Sequence, residues 1–112
     1  MQRGEIWWTD FDDPAASEPG YRRPVVIVQA ESFLRSRIST VTVVVLSSNL
    51  HLADAPGNVL LLRKHGGLPK DSVANVSQIA TVNRAALTEK CGRLGPQSFR
   101  AIEAGLRLAL GL

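Results

Sequence analysis

The sequence predicts a mainly β fold with one α element. Five or six short strands form a strongly curved sheet or half-open barrel, and a helix at the C-terminal end packs over one side. Three observations lead there. The apolar runs are short, rich in Val, Ile and Trp, and divided by turns containing Gly and Pro. Helical spacing of apolar residues follows Pro96. The 112 residues, 45% of them hydrophobic, suit one domain over 1–112 with a filled core.

The elements follow in order. Gly4 to Phe11 alternates loosely and reads as a first strand. Trp7 and Trp8 then point to opposite faces, one into the core and the other toward a groove or a dimer interface. Residues 12–23, DDPAASEPGYRR, read as a polar loop ending in Arg22 and Arg23. Pro24 opens a second strand over 25–29, where a missing donor matters least. ESFLRSRIS is a connection with room for one helical turn, and Val41 to Leu46 a third strand. Strands two and three are apolar on both faces and therefore central. SSNLHLADAPG is a second long loop, Asn58 to Arg63 a fourth strand, and KHGGLPKD a turn. Ser72 to Val82 is a fifth strand, and Cys91 to Leu94 a short sixth.

Pro96 fits the first position of a helix, where its absent N–H costs nothing. Phe99, Ile102, Leu106 and Ala109/Leu110 form its inner face. Glu103 and Arg107 stand in the favourable i,i+4 order. Gly105 either weakens this helix by roughly 1 kcal/mol relative to Ala or lets it approach the sheet closely.

Charge and cysteine content narrow the function. The net charge is +3, with residues 1–50 at −1 and residues 51–112 at +4. Such an excess suits a polyanionic partner without requiring one. The single Cys91 has no internal partner, which favours a reducing compartment. The N-terminal charges Arg3, Glu5 and Asp10 interrupt any signal-peptide core, and no apolar run approaches a membrane span. A cytoplasmic protein without membrane association is the expectation. The sequence has no Gly-rich phosphate loop, no CxxC pair and no HExxH, so no metal or cofactor is expected. His51 and His65 lie in loops without obvious metal partners, and Cys91 reads as a small packing residue rather than a nucleophile.

Chemistry is left to the junctions between loops and strands. A strand end holds a side chain firmly while the attached loop adjusts. Arg22 and Arg23 lie at one such junction, Ser47, Ser48 and Asn49 at another. Arginine cannot act as a base at neutral pH, but it grips a phosphate bidentately and stabilises charge developing on it. A nearby hydroxyl donates to the same phosphate. The competing structural reading pairs Arg23 with Glu18 or Asp13 and has the serines cap a turn.

Five blocks carry a resemblance. They are RGEIWW (3–8), SEPGYRRPVVIVQ (17–29), TVTVVVLSSN (40–49), PGNVLLL with LPKDSVANVSQIATVNRAAL (56–62 and 68–87), and GRLGPQSFRAIEAGLRLALGL (92–112). Together they resemble the MazF/PemK family of toxin endoribonucleases over nearly the whole chain. The resemblance implies an SH3-like half-open barrel with a C-terminal helix, a homodimer, and RNA bound across the dimer face. It also implies a cognate MazE-like antitoxin that occupies the same groove. The implied activity is metal-independent cleavage of single-stranded RNA by 2′-hydroxyl attack, leaving a 2′,3′-cyclic phosphate and a 5′-hydroxyl.

Carried over by position, Arg23 matches the family's catalytic arginine. The family's catalytic threonine falls on Ser47, with Ser48 the alternative. Serine keeps the hydroxyl and loses a methyl, so its rotamer is less constrained. Ser17 and Glu18 match a pair that helps hold RNA, although Ala16 replaces the family's usual glycine before them. Gln78 matches a glutamine that contacts a base or ribose, and Ser77 precedes it. With Arg22, Ser48 and Asn49 these are the expected RNA-binding residues, and loops 12–22, 48–57 and 63–71 the expected readers of sequence. The alternative function is a non-catalytic toxin of related fold that binds a protein target such as gyrase. The Arg-Pro block and the LALGL ending, which lacks an aromatic handle, favour the nuclease.

Overall fold

In the computed structural model, residues 1–10 and 22–112 are described. Ser17, Glu18 and the other residues of the expected first loop up to position 21 lie outside them, as does Phe11. Among the described residues, six strands form one antiparallel sheet: β1 (Glu5–Asp10), β2 (Arg22–Ile27), β3 (Thr40–Ser47), β4 (Val59–Leu61), β5 (Ser72–Asn83) and β6 (Leu87–Arg93). Their spatial order is β4-β5-β3-β2-β1-β6. The sheet curls into a half-barrel, and α2 (Pro96–Leu110) packs against β4 and β5. No helix among the described residues is long and apolar enough to cross a membrane.

Central β2 and β3 are buried on both faces, as their continuous valine runs predict. Ile6, Val26, Val44, Leu46 and Ala74 form one core with Ile102 of α2. Val25, Ile27, Val41, Val43 and Val45 form the other, with Leu34 of the one-turn helix α1 (Glu31–Leu34) and with Leu87. Alternation along a strand is what divides these neighbours between the two cores. Trp7 packs on the second core, and its Nε1 donates to Glu5 Oε1 at 3.0 Å.

Several boundaries differ from the sequence reading. Arg22 and Arg23 belong to β2 itself, paired with Asp10 and Thr9, because β1 extends far enough to zip up with them. The fourth strand shrinks to Val59–Leu61, and a 3-10 turn takes over at Arg63–His65. The sixth starts at Leu87, since β1 provides a partner for its polar residues. In α2, Ile102 and Gly105 are buried and Phe99 and Leu106 half-buried, but Ala109 and Leu110 are exposed because the helix outruns the sheet. Glu103 pairs with Arg3 at 2.8 Å instead of Arg107, tying the N-terminus to the helix. Arg3 also lies over the Phe99 ring, 4.8 Å from its centroid. Gly111, at φ 70°, ends α2, and the Leu112 N–H returns to the Arg107 carbonyl at 2.9 Å.

Gly105 settles its own ambiguity. A Cβ there would run into the Gly57 carbonyl, so the glycine exists for close approach. Gly57 itself has φ 83°, a conformation that side chains rarely adopt. Beside it, Asn58 accepts from the Val76 N–H and donates to the Leu52 carbonyl, each at 2.9 Å. The helix thus presses on a loop that is bonded to β5.

Candidate active site

Where β2 begins and β3 ends, a cleft of about 210 Å³ opens. Its walls come from Trp8 on β1, Arg22, Arg23 and Pro24 on β2, Leu46 and Ser48 at the end of β3, Pro69 and Lys70 in the turn before β5, and Ser72. The sheet builds this wall by register. Trp8 stands opposite Pro24, Thr9 opposite Arg23 and Asp10 opposite Arg22. Pro24 precedes the first β2–β3 pair, Val25 with Val45, so its missing N–H takes nothing from that ladder.

Arg22 is held on two sides. Its guanidinium lies over the Trp8 ring, 4.6 Å from the centroid, and NH2 donates to Glu89 Oε2 at 2.7 Å. Arg23 is half-buried on the same strand. With the exposed Lys70, three cations and no carboxylate line the cleft among the described residues. Ser48 and Ser72 add hydroxyls. Such a surface accepts an anion, and an arginine there offers paired donors to phosphate oxygens.

The two serines divide. Ser47 ends β3 opposite Val73 and is buried, and its Oγ accepts the Asn49 N–H at 3.1 Å. Asn49 in turn caps a 3-10 turn over Leu50–Asp54 by accepting the His51 N–H at 3.2 Å. The turn-capping reading therefore describes Ser47 and Asn49, neither of which lines the cleft. Ser48 does, on the same side as Leu46, two residues earlier in the alternation.

Ser77 and Gln78 are exposed on β5, outside the cleft wall. They lie in a register break. Val44 pairs with Ile79 and Leu46 with Ala74, so residues 75–78 bulge from β5. Buried Asn75 organises the bulge. Its Oδ1 accepts from the Ser77 N–H and Oγ–H at 3.3 and 2.7 Å, and its Nδ2 donates to Gln78 Oε1 at 3.2 Å. Sequence reading missed Asn75 as the organiser and Lys70 as a cleft cation. The Asn-x-Ser-Gln spacing was visible, but its meaning depends on where β3 stops pairing.

Two other groups are structural. Burial pushes the Glu5 carboxyl up, but hydrogen bonds from Trp7 and the Gln2 N–H, together with Lys90 at 3.0 Å, outweigh it and hold the pKa at about 2. Burial and the nearby Glu89 push the Cys91 thiol up, opposed by Arg22, which suits a packing role. Among the described residues no group of three His, Cys, Asp or Glu side chains is placed to hold a metal.

Comparison with known proteins decides the kinship. Residues 2–110 match the family of PemK-like, MazF-like toxins of type II toxin–antitoxin systems. The chain belongs to that family. It is 40% identical over 112 residues to the endoribonucleases MazF6 of Mycobacterium tuberculosis and MazF2 of Mycobacterium bovis, spanning all of this chain and 98% of each relative. This toxin is thus a MazF-like enzyme of the endoribonuclease class. Among solved structures, a mycobacterial endoribonuclease in complex with its cognate antitoxin superposes with a TM-score of 0.78 at 24% identity, covering 100% of this chain and 96% of the other. That superposition extends the likeness to the whole half-barrel and its helix.

Proposed function

We propose that the toxin is a sequence-specific, metal-independent endoribonuclease that cuts single-stranded messenger RNA and so stops translation and growth. The observation that carries this reading is the cleft where Arg22, Arg23 and Lys70 meet Ser48 at the strand ends. In this mechanism the scissile phosphate enters that cleft. The neighbouring 2′-hydroxyl attacks it, the P–O5′ bond breaks, and a 2′,3′-cyclic phosphate and a 5′-hydroxyl result. Arg23 stabilises the charge that builds on the phosphoryl oxygens, the effect that most lowers such barriers. A serine hydroxyl donates to the same oxygens. Ser48 is assigned this part from its place in the cleft, and Ser47 holds the turn that aims it. Trp8 offers a face on which a base stacks. Ser77 and Gln78 contact the RNA further along β5, and Ser17 and Glu18 contact it from the first loop.

Two partners complete the reading. The protein acts as a homodimer, supported by the exposed Leu108, Leu110 and Leu112 at the end of the chain. A cognate antitoxin binds the toxin and occupies the RNA groove; the existence of such a partner is supported by analogy with the mycobacterial endoribonuclease solved in complex with its cognate antitoxin.

The test is cleavage of a long unstructured RNA in EDTA by the wild type and by Arg23→Ala, Ser47→Ala and Ser48→Ala. The expected result is cutting at a few sites with 5′-hydroxyl ends, abolished by Arg23→Ala and lowered most by Ser48→Ala among the serines. A folded wild type that cuts none of many RNA sequences would overturn the catalytic reading in favour of a toxin that binds a protein target.

A further inference from the structure

Three strands bring one carboxylate to the edge of the cationic cleft. Trp8 on β1 faces Pro24 on β2 to one side and Glu89 on β6 to the other. Arg22, two residues before Pro24, lies on Trp8's face of the sheet. The Arg22–Glu89 ion pair therefore spans β1 directly over the indole. Glu89 does not itself line the cleft, whereas Arg22 and Trp8 do.

We propose that Glu89 is a resident counter-ion for Arg22, occupying the guanidinium that an RNA phosphate must claim and restraining the affinity of the toxin for RNA. This rests on the ribonuclease reading above and adds a residue that tunes it. The pair is open to exchange. The side chains are 43% and 68% exposed, so neither charge is locked away from water. Exposed pairs of this kind are weak, and a phosphate offers the same fork of oxygens with comparable charge. While Glu89 is in place, an incoming strand meets a neutralised Arg22 and a covered Trp8 face. When a phosphate replaces Glu89, Arg22 can leave the ring, and the indole is free to stack on a base. Glu89 acts only through Arg22 and is a positioning residue, not a catalytic one.

The test measures binding of fluorescein-labelled single-stranded 2′-O-methyl oligonucleotides of randomised sequence, which have no free 2′-hydroxyl, at one fixed salt concentration. The proteins are the full-length wild type, Glu89→Gln, Arg22→Gln and the double variant. Glu89→Gln should bind about two- to fivefold more tightly, the range set by the strength of an exposed pair. That gain should vanish in the Arg22→Gln background, because the two substitutions share one interaction. In cleavage assays Glu89→Gln should lower KM and leave kcat unchanged. Unchanged or weaker binding by Glu89→Gln, or an equal gain with and without Arg22, overturns the proposal while the ribonuclease reading stands. A wild type that neither binds the oligonucleotides nor cuts RNA overturns both.

Discussion

Replacing Gly105 by alanine sets helix propensity against packing, and the structure says which wins. In an exposed helix interior this change would stabilise by about 1 kcal/mol. Here the new Cβ would overlap the Gly57 carbonyl oxygen and sit 3.0 Å from its carbon and 3.1 Å from Val76 Cγ1. The obstacle is mostly backbone, so no rotamer change clears it. Either α2 lifts from β5 or the Gly57 loop moves, and overpacking of this kind costs about 1–3 kcal/mol. Set against the propensity gain, the net expectation is a loss of up to about 2 kcal/mol, a fall in Tm of up to about 15 °C for a domain of this size. The control is Ala104→Gly, one residue earlier on the exposed side of α2. It should cost about 1 kcal/mol from propensity alone. Urea and thermal unfolding measure both. The loop that must move carries Asn58, which is bonded to Val76 beside the bulge. Gly105→Ala should therefore weaken RNA binding in the folded protein, and Ala104→Gly should not. A Gly105→Ala protein more stable than the wild type by the full propensity gain of about 1 kcal/mol would refute the close-approach reasoning.

The other expectations concern single groups. Glu5 has its folded pKa lowered from 4.5 to about 2, so its contribution of about 3 kcal/mol is present above pH 4.5 and lost as pH falls toward 2; Glu5→Gln should be less stable at neutral pH and lose that part of the acid dependence in unfolding titrations. The buried Thr9 hydroxyl has no hydrogen-bond partner among the described residues, so Thr9→Val, which keeps the shape, should be neutral or raise stability by up to about 1 kcal/mol in urea unfolding. Ile102 is fully buried, and Ile102→Ala should cost about 2–5 kcal/mol, read as a shift in the urea midpoint without a change in slope. Asn75→Ala strips Ser77 and Gln78 of their shared partner; it should reduce RNA affinity more than Ser77→Ala does, as measured by the same oligonucleotide binding.

The strands were legible because burial on two faces leaves unbroken valine runs, and the helix because Pro96 and the spacing of Phe99, Ile102 and Leu106 mark it. What escaped was whatever depends on a partner strand. Arg22 and Arg23 read as loop because they are polar and follow Gly20, yet β1 pairs with them as far as Asp10. The start of β6 was hidden for the same reason, since Thr88, Glu89 and Lys90 carry no apolar signal of their own. Resemblance placed the catalytic hydroxyl on Ser47 with Ser48 as the alternative, because a slip of one residue still aligns a hydroxyl. Only the pleat divides them, and the pleat depends on where β3 stops. Lys70 looked like one more turn lysine until the fold brought it to the cleft that Arg22 and Arg23 line.

These failures share a cause that also explains how the site works. The residues that form the core announce themselves by repetition along one strand. The residues that form the cleft come one or two at a time from β1, β2, β3 and the turn before β5, and only the cross-strand register gathers them. The same register that buries Val25 opposite Val45 fixes where β2 begins and β3 ends, and thus where Arg23 and Ser48 stand. Preorganisation of a phosphate site requires such fixed anchor points, because a donor that must first be ordered loses part of its effect at the moment of reaction. The core and the cleft are therefore set by one pairing pattern, and a substitution that shifts the register would move the cations before it emptied the core.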